Sequence, residues 1–173
     1  NRMTGTLSII LSFASYAFVL LAMFRLFRIN YFNPIVKIFA TYLEPISKSI
    51  FFFLNPLLAA LALAFLFQFV SLYLAYSSGY EPLTLLFISI INVINSCFRI
   101  LFYCVIGSVI LSWVAPGNNH PLLQIVEEMS GAILQPIRKF VPPMGGLDFT
   151  PIIGLMLLNL INTSFIQIIS SMV

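Results

Sequence analysis

The chain has 173 residues, of which 61% are hydrophobic, 15% aromatic and only 8% charged, against roughly 25% charged in a soluble globular domain. Eight basic and five acidic side chains cannot cover a water-soluble core of this size, so a soluble enzyme or a nucleic-acid-binding module is excluded in spite of the formal net charge of +3. A mean hydropathy of +1.07 makes lipid the solvent for most of the chain.

Inside a bilayer, backbone N–H and C=O groups have no water to bond, so helices are the economical way across, at about 20 apolar residues each. The sequence predicts four of them. The first runs from about Leu7 to Phe24 and is closed by Arg25 and Arg28. It reads as an uncleaved anchor, because the basic residues follow the apolar run and no small-x-small cleavage site closes it. The chain opens on Asn1, and its native start is expected upstream. After Asn33-Pro34, Ile35, Ile38, Phe39, Tyr42 and Ile46 recur at helical spacing, with Lys37, Thr41, Glu44 and Lys48 turned away. Such a helix is too short to span; it lies in the cytoplasmic interface or packs as a hairpin on the bundle. The second crossing, Leu57 to about Tyr76, follows Asn55-Pro56, an N-cap and a proline at the first helical position.

The third apolar stretch, Leu83 to Val114 after Glu81-Pro82, holds 32 residues, about 48 Å of helix against a hydrocarbon core of roughly 30 Å. No glycine or proline supplies a turn before Gly107, which favours one long or bent helix: Leu83 to about Ser96 near the surface or tilted, then about Cys97 to Val114 crossing. Arg99 would then stand near the interface and snorkel into the headgroups. His120-Pro121 opens a second amphipathic pattern, with Leu122, Ile125, Val126, Met129 and Ile133 set against Gln124, Glu127 and Glu128. His120, the single histidine, reads as a helix-start residue. The fourth crossing is expected from Ile152 to Met172 after Thr150-Pro151, another cap-plus-proline start.

Shifting the sequence by 87 residues aligns its halves without a gap: Tyr16 falls on Tyr103, Pro34 on Pro121, Ile50 on Ile137, Phe53 on Phe140 and Pro56 on Pro143. The expected fold is therefore an all-α integral membrane protein of four transmembrane helices, in two tandem repeats at 1–86 and 87–173, each a helix, an interfacial amphipathic helix and a helix. Two spans separate equivalent points, so the repeats are parallel and not the inverted kind common in transporters. Arg25, Arg28, Lys37 and Lys48 on one loop, and Arg138 and Lys139 on the other, place 25–56 and 115–150 on the cytoplasmic side. Arg2 votes weakly against that orientation. Cys97 and Cys104 share a helix face, cannot bond each other and read as small core residues.

Chemistry is sought in two places. The segment from Gln135 to Pro151 combines Pro136, Pro142-Pro143, Gly145-Gly146 and Asp148. A rigid turn returning the chain to the bilayer explains each of these residue types, with Asp148 accepting from free N–H groups at the next helix start. Arg138 and Lys139 are the candidates for lipid phosphates or an acidic partner, with Pro136, Gly145, Gly146 and Asp148 of the same turn completing the candidate partner- or lipid-binding set. In the spans, Asn92, Asn95 and Arg99 share one face of the third stretch, and Asn159, Asn162 and Gln167 lie on the fourth; amides in lipid are expected to bond across helix interfaces. Trp113 and Tyr31 fit interface anchors.

Ser112-Trp113, His120-Pro121, Pro136-Ile137-Arg138-Lys139, Pro142, Gly145-Gly146, Asp148 and Thr150-Pro151 stand in the order of a pattern that resembles the YggT family of small bacterial membrane proteins, also called YlmG, with plastid relatives. The first half departs from it: Ser49 replaces the proline, Phe51-Phe52 the basic pair, and no Gly-Gly or Asp follows. The resemblance implies loose ties to osmotic tolerance, ion homeostasis and cell-division gene neighbourhoods and, in plastids, to cytochrome b6f assembly and nucleoid distribution; it implies no enzymatic activity and no cofactor. The expected function is a non-enzymatic accessory or scaffold protein of the bacterial inner membrane. Its partners would be the lipid bilayer and a larger membrane complex or further copies of itself, with no direct nucleic-acid contact. The alternative is a channel or transport component in ion or osmotic balance, with Asn92, Asn95, Asn159 and Asn162 lining the path.

Overall fold

A computed structural model describes residues 2–172. Its elements are six helices: α1 (Arg2–Leu26), α2 (Pro34–Ile50), α3 (Pro56–Tyr76), α4 (Pro82–Val114), α5 (Pro121–Arg138) and α6 (Thr150–Ser170). Four of them, α1, α3, α4 and α6, are long and apolar enough to cross a membrane. Among the described residues no strand forms; one isolated antiparallel bridge joins Met144 and Leu147.

Side-chain caps set three of the helix starts. Asn33 Oδ1 accepts the Ile35 N–H at 3.0 Å, Asn55 Oδ1 the Leu58 N–H at 2.8 Å, and His120 Nδ1 the Leu122 N–H at 3.2 Å. A proline follows each cap at the first helical turn, where no donor is lost. Glu81 occupies the same place before α4 without a side-chain bond. At the start of α6 Thr150 is itself helical and not the cap, while the Asp148 carboxylate meets its N–H as expected.

The first seam, between α1 and α3, is lined by small residues. Ala59, Ala60 and Ala64 are fully buried, and Ser12 Oγ lies 2.8 Å from Ser71 Oγ. Ser71 donates to the Ser8 carbonyl at 2.7 Å, and Ser15 donates to the Ala64 carbonyl at 2.7 Å. Small side chains let the helix backbones approach, and hydroxyls that find partners across the seam leave no polar group facing lipid. This seam escaped the sequence reading, although serines 8, 12 and 15 are spaced on one helix face.

α4 is a single unbroken helix of 33 residues, about 50 Å long, and packs on α1, α3, α5 and α6. Its first half packs against α3. Leu85 and Ser89 are buried, and Ile90, Val93 and Ile94 line one apolar groove with Leu58, Leu61 and Phe65 of α3. Its second half meets α5, with Cys104 Sγ 3.9 Å from Met129 Sδ. The single long helix expected from the sequence forms, and it serves both neighbours.

The short helices part company. On α5 the predicted apolar face turns inward: Ile125 and Met129 are buried, with Val126 and Ile133 packed on the core, while Leu122 stays exposed. On α2 the predicted face is split, with Ile35 and Phe39 packed on the core. Ile38, Tyr42 and Ile46 are exposed, whereas Val36, Glu44 and Ser47 are buried and Phe39 and Leu43 pack on the core. A helix of a membrane protein has two apolar environments open to it, lipid and protein, and here Ile38, Tyr42 and Ile46 face away from the protein.

If the serine seam holds α1 to α3, Ser71→Ala costs about 0.6–2 kcal/mol. Ser71→Leu, which adds volume to a closed seam, costs about 1–3 kcal/mol. Unfolding in mixed micelles against a rising denaturing-detergent fraction measures both; equal stability of all three proteins would sink this account.

Candidate functional site

The turn between α5 and α6 is a closed hairpin. Met144 and Leu147 exchange N–H···O=C bonds, both at 3.1 Å, across Gly145 (φ 61°) and Gly146 (φ 80°). Positive φ at both central positions is the pattern of a tight type I′ turn, which glycine adopts without a Cβ clash. Space is not the constraint, since a Cβ at either glycine would meet nothing within 4 Å. The hairpin is tied at its base by Asp148, one of whose oxygens accepts from Arg138 Nε at 3.2 Å and Nη2 at 2.9 Å. Its other oxygen takes the N–H and hydroxyl of Thr150. Thus Arg138 at the end of α5, Asp148, and the first residue of α6 form one unit.

The Thr150 hydroxyl bond is the largest influence holding the Asp148 carboxyl below its ordinary value of 3.8; slight burial opposes it, and the Thr150 N–H and Arg138 reinforce it. Arg138 is thereby committed within the chain. Lys139 is exposed and enters no ion pair among the described residues. In the same segment Phe140, Met144 and Leu147 are 85%, 62% and 65% exposed.

A second polar centre joins the first rim helix to α1. Glu44, expected on the solvated face, is buried between Arg25 and Lys48; it pairs with Arg25 directly and with Lys48 Nζ at 3.1 Å. Burial pushes its carboxyl up, but the two cations outweigh that and hold it below the ordinary carboxylate range. Arg25 also lies 4.8 Å from the centre of the Tyr31 ring, a cation–π distance. The two rims touch: Asn33 Nδ2 donates to the Pro121 carbonyl at 2.8 Å, and the Asn30 N–H to Glu128 at 2.9 Å. Sequence spacing gave no sign of this centre, because Arg25 and Glu44 stand on different helices.

The third centre lies between α4 and α6. Asn162 Nδ2 donates to Asn95 Oδ1 at 3.0 Å, the expected amide bond across a span interface. Asn95, Arg99, Asn159 and Asn162 line a lateral pocket of about 240 Å³ with Phe98, Phe102, Tyr103 and Leu158. Asn92 is not part of its lining. Asn162 Oδ1 is buried without a donor. Arg99 stands near the midpoint of α4 and beside the midpoint of α6. Among the described residues no group of three His, Cys, Asp or Glu side chains is placed to hold a metal ion.

Four membrane-length apolar helices with two short amphipathic helices at one rim define a multi-span helical membrane protein. A family model described as CCB3/YggT matches residues 87–169, the half that carries the hairpin and its Arg138–Asp148 tie. An uncharacterized protein of Pseudomonas aeruginosa is 36% identical over 157 residues, covering 86% of this chain and 80% of that protein. The uncharacterized protein YggT of Escherichia coli K12 is 22% identical over 99% of this chain and 93% of its own length, and an uncharacterized Haemophilus influenzae protein is 25% identical over 94% and 91%. The chain belongs to the CCB3/YggT family. No solved structure matches it.

Two outcomes follow for the hairpin. A carboxyl held low in the folded state contributes fully above its unfolded value and loses that contribution as pH falls through the folded value. Protection of the hairpin from proteolysis therefore stays flat from neutral pH to about 5 and falls below 3.8; Asp148→Asn abolishes this acid step. Gly146→Ala meets open space but an unfavourable φ, and is expected to cost about 1–2 kcal/mol of hairpin order, read as faster amide exchange at Met144 and Leu147. Unchanged exchange would show that the turn does not need glycine there.

Proposed function

We propose that this chain is a non-enzymatic accessory or scaffold protein of the bacterial inner membrane, which associates with or helps assemble a larger membrane complex. The observation that carries this reading is the braced hairpin. Its backbone is fixed by the Met144–Leu147 bonds and the Arg138–Asp148–Thr150 unit, while Phe140, Met144, Leu147 and Lys139 point away from the chain. Pre-ordered apolar side chains beside a free cation suit docking, because little entropy is lost when a partner covers them. Basic residues on the 25–56 and 115–150 segments favour a cytoplasmic position for both, with both termini outside.

The 87-residue offset supports two tandem copies, 1–86 and 87–173. It carries Pro34–Ile50 of α2 onto 121–137 within α5, and the seam residue Ser8 onto Asn95, which bonds across the other pair of spans. The family match spans one such copy. In the first copy, α2 and α3 are joined through 51–55 alone, which leaves no room for the hairpin. Docking is therefore assigned to the second copy.

The lateral pocket with Asn95, Asn159 and Asn162 favours a second reading, a channel or transport component. Purified protein in liposomes tests it, and no ion flux above empty vesicles removes it.

The accessory reading is tested by crosslinking in native membranes and purification in mild detergent. Lys139→Ala with Phe140→Ala, which spares the Arg138–Asp148 tie, is expected to weaken capture of a defined partner by about 1–2 kcal/mol per side chain. A monomer with no crosslinked partner, or capture indifferent to both substitutions, would contradict the proposal.

A further inference from the structure

The mid-span pocket holds a cation with no counter-charge. Arg99 is exposed on α4, donates no hydrogen bond to a described residue and meets no carboxylate. It shares the pocket with Asn159 and Asn162, near the middle of α6, and lies close enough to Tyr16, near the middle of α1, to interact electrostatically. Mid-depth by two other spans puts the guanidinium about 15 Å from either end of the apolar layer, further than the side chain reaches. A lone charge there is unfavourable, and an intramembrane ionisable residue ordinarily has a partner.

The chain does not supply one. Glu44 is taken by Arg25 and Lys48, Asp148 by Arg138, and Glu128 accepts the Asn30 N–H. Glu81 precedes α4, and Glu127 lies on the exposed side of α5. A second copy has the same acids in the same places, so it has none at this depth either. Phospholipid phosphates lie outside the hydrocarbon layer, above the pocket. The geometry points to a transmembrane helix of another protein, carrying an Asp or Glu near its own midpoint, as the occupant of the α4–α6 face. Its carboxylate meets Arg99, and the Asn159 amide is free to donate to it. Phe98, Phe102 and Tyr103 line the pocket beside it. This rests on the accessory reading and names the chemistry of the partner.

The test uses the full chain in phosphatidylcholine vesicles with a synthetic leucine-alanine helix of about 20 residues carrying one central Glu, and the same helix with Gln. Energy transfer between labels reads association, at a pH above the titration of the peptide carboxyl. The Glu helix is expected to bind about tenfold more tightly than the Gln helix. Arg99→Gln removes the preference and Arg99→Lys retains most of it. Asn159→Leu, which narrows the pocket without touching the charge, weakens binding of the Glu helix and serves if Arg99→Gln does not fold. Equal binding of the two helices, or a Glu preference that survives Arg99→Gln, overturns the proposal. So does a preference erased by vesicles rich in phosphatidylglycerol, which would make lipid phosphate the occupant. Lys139→Ala with Phe140→Ala leaves the Glu preference intact. If instead those hairpin variants abolish native crosslinking while the Glu helix shows no preference, the accessory reading stands and this inference alone falls.

Discussion

Lipid offers a polar group no partner, and most of this fold follows from that. Backbone groups close on themselves in helices, the serine hydroxyls of the first seam bond across it, and an asparagine pair bonds across the second. Arg99 apart, the charged side chains stand toward the helix ends or on the short helices. Arg25, Glu44 and Lys48 gather at the end of α1, and Arg138 and Asp148 at the entrance to α6. Each rim centre therefore ties a short helix to a span, and charge ordinarily found on a solvated surface serves here to fix helix positions.

The four spans and the two short helices were legible in the sequence because span length, cap residues and prolines act locally. Asn33, Asn55 and His120 cap the helices that follow them for reasons contained in three or four consecutive residues. The faces of the short helices were only half legible. Amphipathic spacing tells which residues share a side, but in a membrane protein both sides have an environment that accepts apolar groups. α5 presents its stripe to the bundle and α2 presents Ile38, Tyr42 and Ile46 away from it, and nothing in the two periodic patterns distinguishes these outcomes. Glu44 was misplaced for the same reason: its burial depends on Arg25, nineteen positions earlier on another helix.

The candidate site was legible as a set of residue types and not as an arrangement. Proline, paired glycine and aspartate announced a turn and a helix start, and the structure builds a hairpin with Asp148 at its base. The two basic residues that looked equivalent are not. Arg138 is turned back on Asp148, whereas Lys139 remains outward. A guanidinium offers two donors in one plane and binds a carboxylate oxygen through both, as Arg138 does, whereas an ammonium is a point charge; the tie needs the first, and the free position accepts the second.

The hairpin matters most to the helix that follows it. α6 is the least buried of the four spans and packs only on α4 and α5, whereas α1 and α3 share an extended seam. A helix with so little side contact has its position set largely at its ends. At its start, Gly154 lets α5 approach so closely that a Cβ there would lie 2.9 Å from Leu134 Cδ2. One turn earlier, Asp148 binds the first helical residue to Arg138, the last residue of α5. The Gly-Gly turn brings the chain back to make that tie possible. The motif thus anchors α6 to α5 from below while leaving its flank, with Asn159 and the Arg99 pocket, uncovered by the rest of the chain. A span held at one end and open along one side is suited to receive another helix without first being pulled away from its own.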